Sequence, residues 1–193
     1  MEAQMELTEE EKQELLSLAR KSIECALREE PLPEFDSTNE KFLEPSGVFV
    51  TLRIGGELRG CIGYIEPRFP LGEAVREVAV RSAFNDPRFP PLTREESQGT
   101  NIEISVLSPL SRIKSPEEIV VGTHGLVVED GRHRGLLLPH VPLEYRWNRE
   151  QFLRHSCLKA GLPEDAWTRP DVTLSVFTTL TFSEAHMRHP VND

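Results

Sequence analysis

The pair Gly55-Gly56 stands between two strand-like runs, and no other feature restricts the fold of this chain so tightly. Upstream lies Val48-Phe49-Val50-Thr51-Leu52-Arg53-Ile54, rich in β-branched and aromatic residues; downstream lies Glu57-Leu58-Arg59-Gly60-Cys61-Ile62-Gly63. A two-residue primed turn needs positive φ at its central positions, which two glycines supply, so the stretch predicts a tight β-hairpin. A regular hairpin sets Ile54 opposite Glu57, Leu52 opposite Arg59 and Val50 opposite Cys61. Side chains alternate along a strand, which puts Arg59 and Cys61 on one face about 7 Å apart. A thiol beside a guanidinium, with bare backbone at Gly60 and Gly63, suits reaction or the gripping of a ligand. The same residues also suit plain packing, because free cysteine usually behaves as a small buried hydrophobe and strand glycines admit a close neighbour. At the level of sequence both readings stand.

Helical spacing brackets the hairpin. Thr8-Glu9-Glu10-Glu11 reads as a capping box, followed by Leu15, Ala19, Ile23, Ala26 and Leu27 on one face until Pro31 and Pro33. Residues 31–47 are rich in proline and acid and read as loop. Leu71, Ala74, Val75, Val78, Ala79 and Ser82 mark a second helix, which Pro87 stops near Asn85-Asp86. The loop after it carries Asp86, Arg88 and Phe89, with Asp86 and Arg88 expected to pair with each other or with Arg59 and Glu103. Thr93 to Glu96 caps a short turn, and Asn101 to Ser108 alternates as a half-buried strand. On it Glu103 is expected to meet Arg53 or Arg59, or to act as a general base.

Ser115-Pro116-Glu117-Glu118 opens another short helix. A second hairpin is predicted from Gly125 to Glu129 and Arg134 to Leu138 around Asp130-Gly131. His124 just before it is either a hydrogen-bonding structural residue or a proton carrier. Asn148 and Gln151 cap a last helix that Gly161 ends, with Phe152, Leu153, Cys157 and Ala160 near one stripe. Val172 to Phe182 reads as one final strand, and the tail from residue 183, with His186 and His189, as loose. Hairpins and helices come in clusters and not in βαβ order, so the fold class is α+β, an antiparallel sheet with flanking helices.

Charge and cysteine usage narrow the function classes. Twenty-two basic against thirty-two acidic residues give −10 at pH 7, which disfavours nonspecific nucleic-acid binding, although Arg53, Arg59, Arg68, Arg76, Arg81 and Arg88 allow a local basic groove. Three widely spaced cysteines without Cys-x-x-Cys make neither a disulfide framework nor a zinc or iron–sulfur set. No metal site and no cofactor are expected, since a phosphate loop and a dinucleotide fingerprint are also missing. The acidic start lacks an apolar export segment and no run approaches a membrane span, which predicts a cytoplasmic protein.

The hexapeptide Leu58-Arg59-Gly60-Cys61-Ile62-Gly63 resembles the core motif of the AMMECR domain family, named for a chromosomal region deleted in a syndrome of Alport nephritis, midface hypoplasia and elliptocytosis. Further stretches agree in order: Asn85 to Pro91, Ile102 to Pro109, His124-Gly125-Leu126, Gly135 to Pro139, Phe152-Leu153 and Cys157 to Leu162. The resemblance spans residues 8–182 and is strongest to the bacterial form, member A of the AmmeMemoRadiSam system. It implies a two-lobe domain, with a larger lobe from both chain ends, a smaller inserted lobe, and the hexapeptide near their junction. It also implies two partners, a Memo-like protein and a radical SAM enzyme. His140 stands where family members more often show glutamine, which argues against proton chemistry there.

Two functions follow as expectations. One is a cysteine-centred enzyme or substrate-holding component, with Cys61, His124 and Glu103 as catalytic candidates and Arg59, Gly60, Gly63, Asp86 and Arg88 binding the ligand. The other is a non-catalytic adaptor for a protein partner or an anionic ligand, with RNA modification a third and weaker reading.

Overall fold

The computed structural model describes residues 6–185. The first half of the chain runs α1 (Glu9–Leu27), α2 (Glu40–Leu43), β1 (Gly47–Ile54), β2 (Glu57–Tyr64), α3 (Leu71–Phe84), α4 (Arg94–Gly99) and β3 (Thr100–Leu107). There follow β4 (Ser111–Arg112), β5 (Gly125–Glu129), β6 (Arg134–Leu137), α5 (Val141–Glu144), α6 (Arg149–Lys159), β7 (Thr173–Phe177) and β8 (Thr179–Ser183). The strands form two four-stranded sheets, ordered β2-β1-β3-β8 and β4-β7-β5-β6. Helices and antiparallel strands are thus segregated as in an α+β fold. Contacts divide the described residues into two compact units, one built from residues 6–107 and 180–185, the other from Ser108–Thr179. No helix among the described residues is long and apolar enough to cross a membrane.

In the first unit α1 and α3 cover one face of the sheet. Thr8 Oγ1 accepts the amide of Glu11 at 3.2 Å while Glu11 reaches back to the Thr8 amide at 2.7 Å, the capping box the sequence predicts. The helix ends at Leu27, ahead of the prolines. Glu29 there takes a positive φ of 58°, and the amides of Glu29 and Glu30 return to the carbonyls of Ala26 and Cys25. Leu15, Leu16, Ala19 and Ile23 pack with Val75, Val78 and Ala79 onto Val48, Val50, Leu52, Ile102 and Ile104. The segment read as pure loop holds α2, started by Asn39, whose Oδ1 accepts the amide of Lys41.

The Gly55-Gly56 turn has φ of 59° and 87°, as a primed turn requires. Beyond it the register departs from a regular hairpin. Ile54 pairs Glu57, but then Arg53 pairs Leu58, Leu52 pairs Gly60 and Thr51 pairs Cys61, with a shift between Leu52 and Arg53. Arg59 is the extra residue of this bulge, so Cys61 lies opposite Thr51 and not Val50. A one-residue slip moves a side chain to the other face of a sheet. Cys61 is therefore turned away from the helix-covered core.

The cause lies in α3. A Cβ on Gly60 would stand 2.1 Å from the Ser82 carbonyl oxygen. The Ser82 hydroxyl enters the ladder itself: it accepts the Ile62 amide at 2.9 Å and donates to the Val50 carbonyl at 2.8 Å.

In the second unit α6 packs on β5 and β6, closing a core of Leu126, Val128, Phe152, Leu153, Cys157 and Val176. Gly131 turns the predicted hairpin with φ 85°. The run read as one final strand is broken. Thr178 leaves the ladder to exchange two bonds with Ser108, its carbonyl taking the Ser108 amide and its amide donating to Ser108 Oγ, both at 2.9 Å. β7 and β8 consequently belong to different sheets. Much of the expected loose tail, including His186 and His189, lies outside the described residues.

Gly60→Ala is expected to cost about 3 kcal/mol, because the new methyl meets backbone. Ser82→Ala should cost about 2 kcal/mol by stranding a buried amide and carbonyl. Urea unfolding monitored by circular dichroism measures both, and a Gly60→Ala protein as stable as the parent would refute the packing assigned to Gly60.

Candidate functional site

On the sheet face away from the helices, one cross-strand row runs Cys61, Thr51, Glu103 through the pairings of β2 with β1 and of β1 with β3. Thr51 is buried and its hydroxyl donates to Cys61 Sγ at 3.3 Å. Glu103 is half-buried, and its side chain makes neither a hydrogen bond nor an ion pair among the described residues. Both arginines expected to meet it are engaged elsewhere: Arg53 on the Gly56 carbonyl and Arg59 on Glu96.

β2 is an edge strand, so the outward amide and carbonyl of Cys61 need other partners. The loop after α3 supplies them. Pro87 forbids a further helical turn, and Asp86 folds back to accept the Arg88 amide at 3.1 Å and guanidinium Nε at 3.0 Å on Oδ1. Its Oδ2 takes the Cys61 amide at 2.8 Å and Arg88 Nη2 at 2.7 Å. Arg88 Nη2 also donates to the Cys61 carbonyl at 3.3 Å, so the pair imitates the next strand. Asp86 is 4 % exposed. The Arg88 guanidinium first, and then the Cys61 amide, hold its carboxyl down to about 2 against an ordinary 3.8.

Arg59 is tied up in the same loop region. Its Nε and Nη2 grip both oxygens of Glu96 at 2.9 and 3.0 Å, and Nη2 also reaches the Pro90 carbonyl at 3.0 Å. The Phe89 ring lies beneath both cations, 5.8 Å from the Arg59 and 5.5 Å from the Arg88 guanidinium carbon. Glu96 caps Thr93 at the same time, and the Arg59 bond is the main reason its carboxyl falls to about 2.

The thiol itself is pushed upward, chiefly by burial. The Thr51 hydrogen bond and the Arg88 charge pull it down, while Asp86 and Glu103 push it up. The cation that acts on it is Arg88, whereas the Arg59 guanidinium that the sequence sets beside the thiol is held on Glu96.

The glycines expected to leave bare backbone for a ligand are filled from within. The Ser82 carbonyl occupies the space over Gly60, and the Phe49 ring covers Gly63, where a Cβ would stand 2.3 Å from Phe49 Cγ. An aromatic laid over a cross-strand glycine recovers burial the glycine lacks.

His124 belongs to the second unit, where its Nδ1 accepts the Val120 amide at 3.2 Å and its own amide returns to the Val120 carbonyl. There it closes a turn. No group of three His, Cys, Asp or Glu among the described residues is placed to hold a metal ion. Sequence reasoning missed Thr51 and Ser82 as parts of this site. Each is a hydroxyl set in an otherwise apolar periodic pattern, and that was the available signal.

These features define a class: an α+β protein in which a cysteine on a bulged edge strand is sealed by an Asp-Arg loop. The chain belongs to the AMMECR1 family, whose model matches residues 16–182. It is 43% identical over 196 residues to the protein MK0488 of Methanopyrus kandleri, covering 97% of this chain and 95% of that one. It is 46% identical over 164 residues to the protein MJ0810 of Methanocaldococcus jannaschii, covering 81% and 82%. A crystal structure of an uncharacterised protein of Pyrococcus horikoshii, PH0010, matches with a TM-score of 0.84 at 43% identity, over 88% of this chain and 89% of that one.

Asp86→Asn is expected to cost about 2 kcal/mol at neutral pH, because it removes a charge-assisted clamp on a buried amide. The folded carboxyl value is depressed, so this stabilisation is complete above the unfolded value near 3.8 and is lost as pH falls through about 2. Unfolding free energies of parent and variant should converge over that window. A gap that stays constant from neutral pH into acid would refute the charged clamp.

Proposed function

We propose that the protein is a binding component, holding a ligand or partner group over the Cys61–Thr51–Glu103 row, and not a thiolate enzyme. The carrying observation is the geometry around Cys61: Asp86 and Arg88 are engaged in sealing the strand edge and Arg59 is held on Glu96, which leaves Thr51 as the donor to a sulfur whose burial pushes its pKa up. The thiolate is the reactive nucleophile, so a thiol held neutral is a poor attacking group. The row offers a soft sulfur and, on the far side of Thr51, a carboxylate unpaired among the described residues, a set that suits a ligand with an apolar or sulfur-tolerant body and a hydrogen-bond donor or positive charge for Glu103. The resemblance to the AmmeMemoRadiSam proteins supplies the setting: a component that presents its ligand to a Memo-like protein or a radical SAM enzyme.

The second reading, a cysteine nucleophile, has one observation in its favour. The Arg88 guanidinium is half exposed and lowers the cost of a negative sulfur.

Iodoacetamide labelling of the native protein across pH, followed cysteine by cysteine in the mass spectrometer, separates the two. The binding reading expects Cys61 labelling to rise with a midpoint above the ~8.5 of a free thiol. A midpoint clearly below that value, with rapid labelling at neutral pH, would establish the nucleophile and overturn the binding reading.

A further inference from the structure

The second unit carries a set of stacked rings that the Cys61 site does not use. Helix α5 ends with Arg146 at a positive φ of 56°, the Arg146 amide bonding the Leu143 carbonyl and the Trp147 amide the Pro142 carbonyl. That is the left-handed helix stop in which glycine is the usual residue. Gly161 takes the corresponding place after α6, with φ 76°. The turn at Arg146 brings the flanking rings face to face: Tyr145 and Trp147 have centroids 4.9 Å apart and planes 18° apart. His155, on α6, stacks on Trp147 at 3.8 Å and 3°. Trp147 is anchored against the core of this unit, but Tyr145 is 64 % exposed. A ring with one face on Trp147 and that much exposure offers its other face to solvent.

A cation lies between two of these rings in the sequence. Arg146 is exposed, and its guanidinium makes no hydrogen bond or ion pair among the described residues, whereas Arg154 and Arg169 in the same unit are paired with Glu164 and Asp171. Charge is also distributed unevenly along the chain. Residues 108–179 hold nine Lys and Arg against nine Asp and Glu, so the formal −10 is carried entirely by the rest of the sequence. The negative charge that disfavours nucleic-acid binding by the whole chain is therefore not carried by this unit.

Every nucleobase has a π-face, and bases stack on exposed aromatic side chains with little regard to sequence. We propose that Tyr145, Trp147 and His155 form a stacking platform for a nucleobase whose phosphate is met by Arg146. The ligand class is a nucleotide, free or as a unit of single-stranded RNA. Exposed Leu143 lies two residues before Tyr145 and packs over Gly122, whose Cβ position would lie 2.9 Å from Leu143 Cδ2.

The full chain is titrated with adenosine monophosphate and with an eight-nucleotide oligoadenylate, following tryptophan fluorescence. Saturable quenching is expected, retained in Tyr145→Phe and weakened about tenfold in Tyr145→Ala, the size of one base–aromatic stack. Arg146→Gly is the more discriminating variant. It should weaken binding and flatten its salt dependence while raising the melting temperature, because glycine relieves the left-handed backbone. A merely structural Arg146 would give the rise in melting temperature alone, and that result overturns the proposal. Oligoadenylate binding at least about tenfold tighter than the monophosphate identifies RNA as the source, and equal binding per site identifies the free nucleotide. No quenching by either probe up to ~5 mM, or equal affinity in Tyr145→Ala, also overturns it and leaves the exposed patch to a protein partner.

Discussion

A single hydroxyl ties the first unit together. Ser82 Oγ receives the amide of Ile62 and hands its own proton to the carbonyl of Val50, so a side chain of α3 stands inside the ladder between β1 and β2. A helix can approach a sheet this closely only where the sheet has no Cβ to meet it, and Gly60 provides that gap beneath the Ser82 carbonyl. The bulge at Arg59 then follows, because Gly60 must face the helix while the turn at Gly55-Gly56 fixes the other end of the hairpin. The bulge in turn sends Cys61 to the far face beside Thr51. The hexapeptide is a chain of consequences of one helix–strand contact, and its glycine, arginine and cysteine are not independent choices.

Much of this architecture was legible in the sequence. Both long helices of the first unit, the two hairpins and the capping residues Thr8, Thr93, Ser115 and Asn148 are where periodicity and cap chemistry place them. The register of the first hairpin was not, because strand periodicity has no way to signal a bulge whose cause is a helix some twenty residues further on. The split between β7 and β8 was hidden for a similar reason. Thr178 is a good strand residue, and only its exchange of bonds with Ser108, seventy residues earlier, takes it out of the ladder. Of the site, the pairing of Asp86 with Arg88 was within reach of the sequence, since the two are close neighbours around a proline. The partner of Arg59 was not: Glu96 looks in sequence like an ordinary capping glutamate, and it serves both purposes at once.

The edge of the first sheet shows how the loop and the cysteine depend on each other. An unpaired strand edge invites pairing with a second chain. Here the outward peptide groups of Cys61 are answered by a carboxylate and a guanidinium, which satisfy them without offering a further strand edge. Phe89, held under two arginines, fills the space between that loop and the guanidinium of Arg59. The arginines that the sequence offers as an anion-binding cluster are in this way largely committed. Arg59 is bound to Glu96 and Arg88 to Asp86, so the Cys61–Thr51–Glu103 row presents a sulfur and a carboxylate while both neighbouring guanidinium groups are paired.

That ordering bears on what chemistry the cysteine supports. A nucleophilic thiol requires a neighbouring base or an uncommitted cation. Cys61 has a hydroxyl donor in Thr51, which favours the charged sulfur, but burial and two carboxylates act against it and prevail. Glu103 sits two strands away from Cys61 with Thr51 between them, at roughly twice the ~4.8 Å strand spacing, too far to take the thiol proton directly. The same separation is well suited to a ligand lying across Thr51 with one end at the sulfur and the other at the carboxylate. The features that weaken the case for attack by Cys61 are thus those that a holding site would need: a half-buried thiol whose pKa burial raises, and an acidic group without a partner among the described residues at the far end of the row.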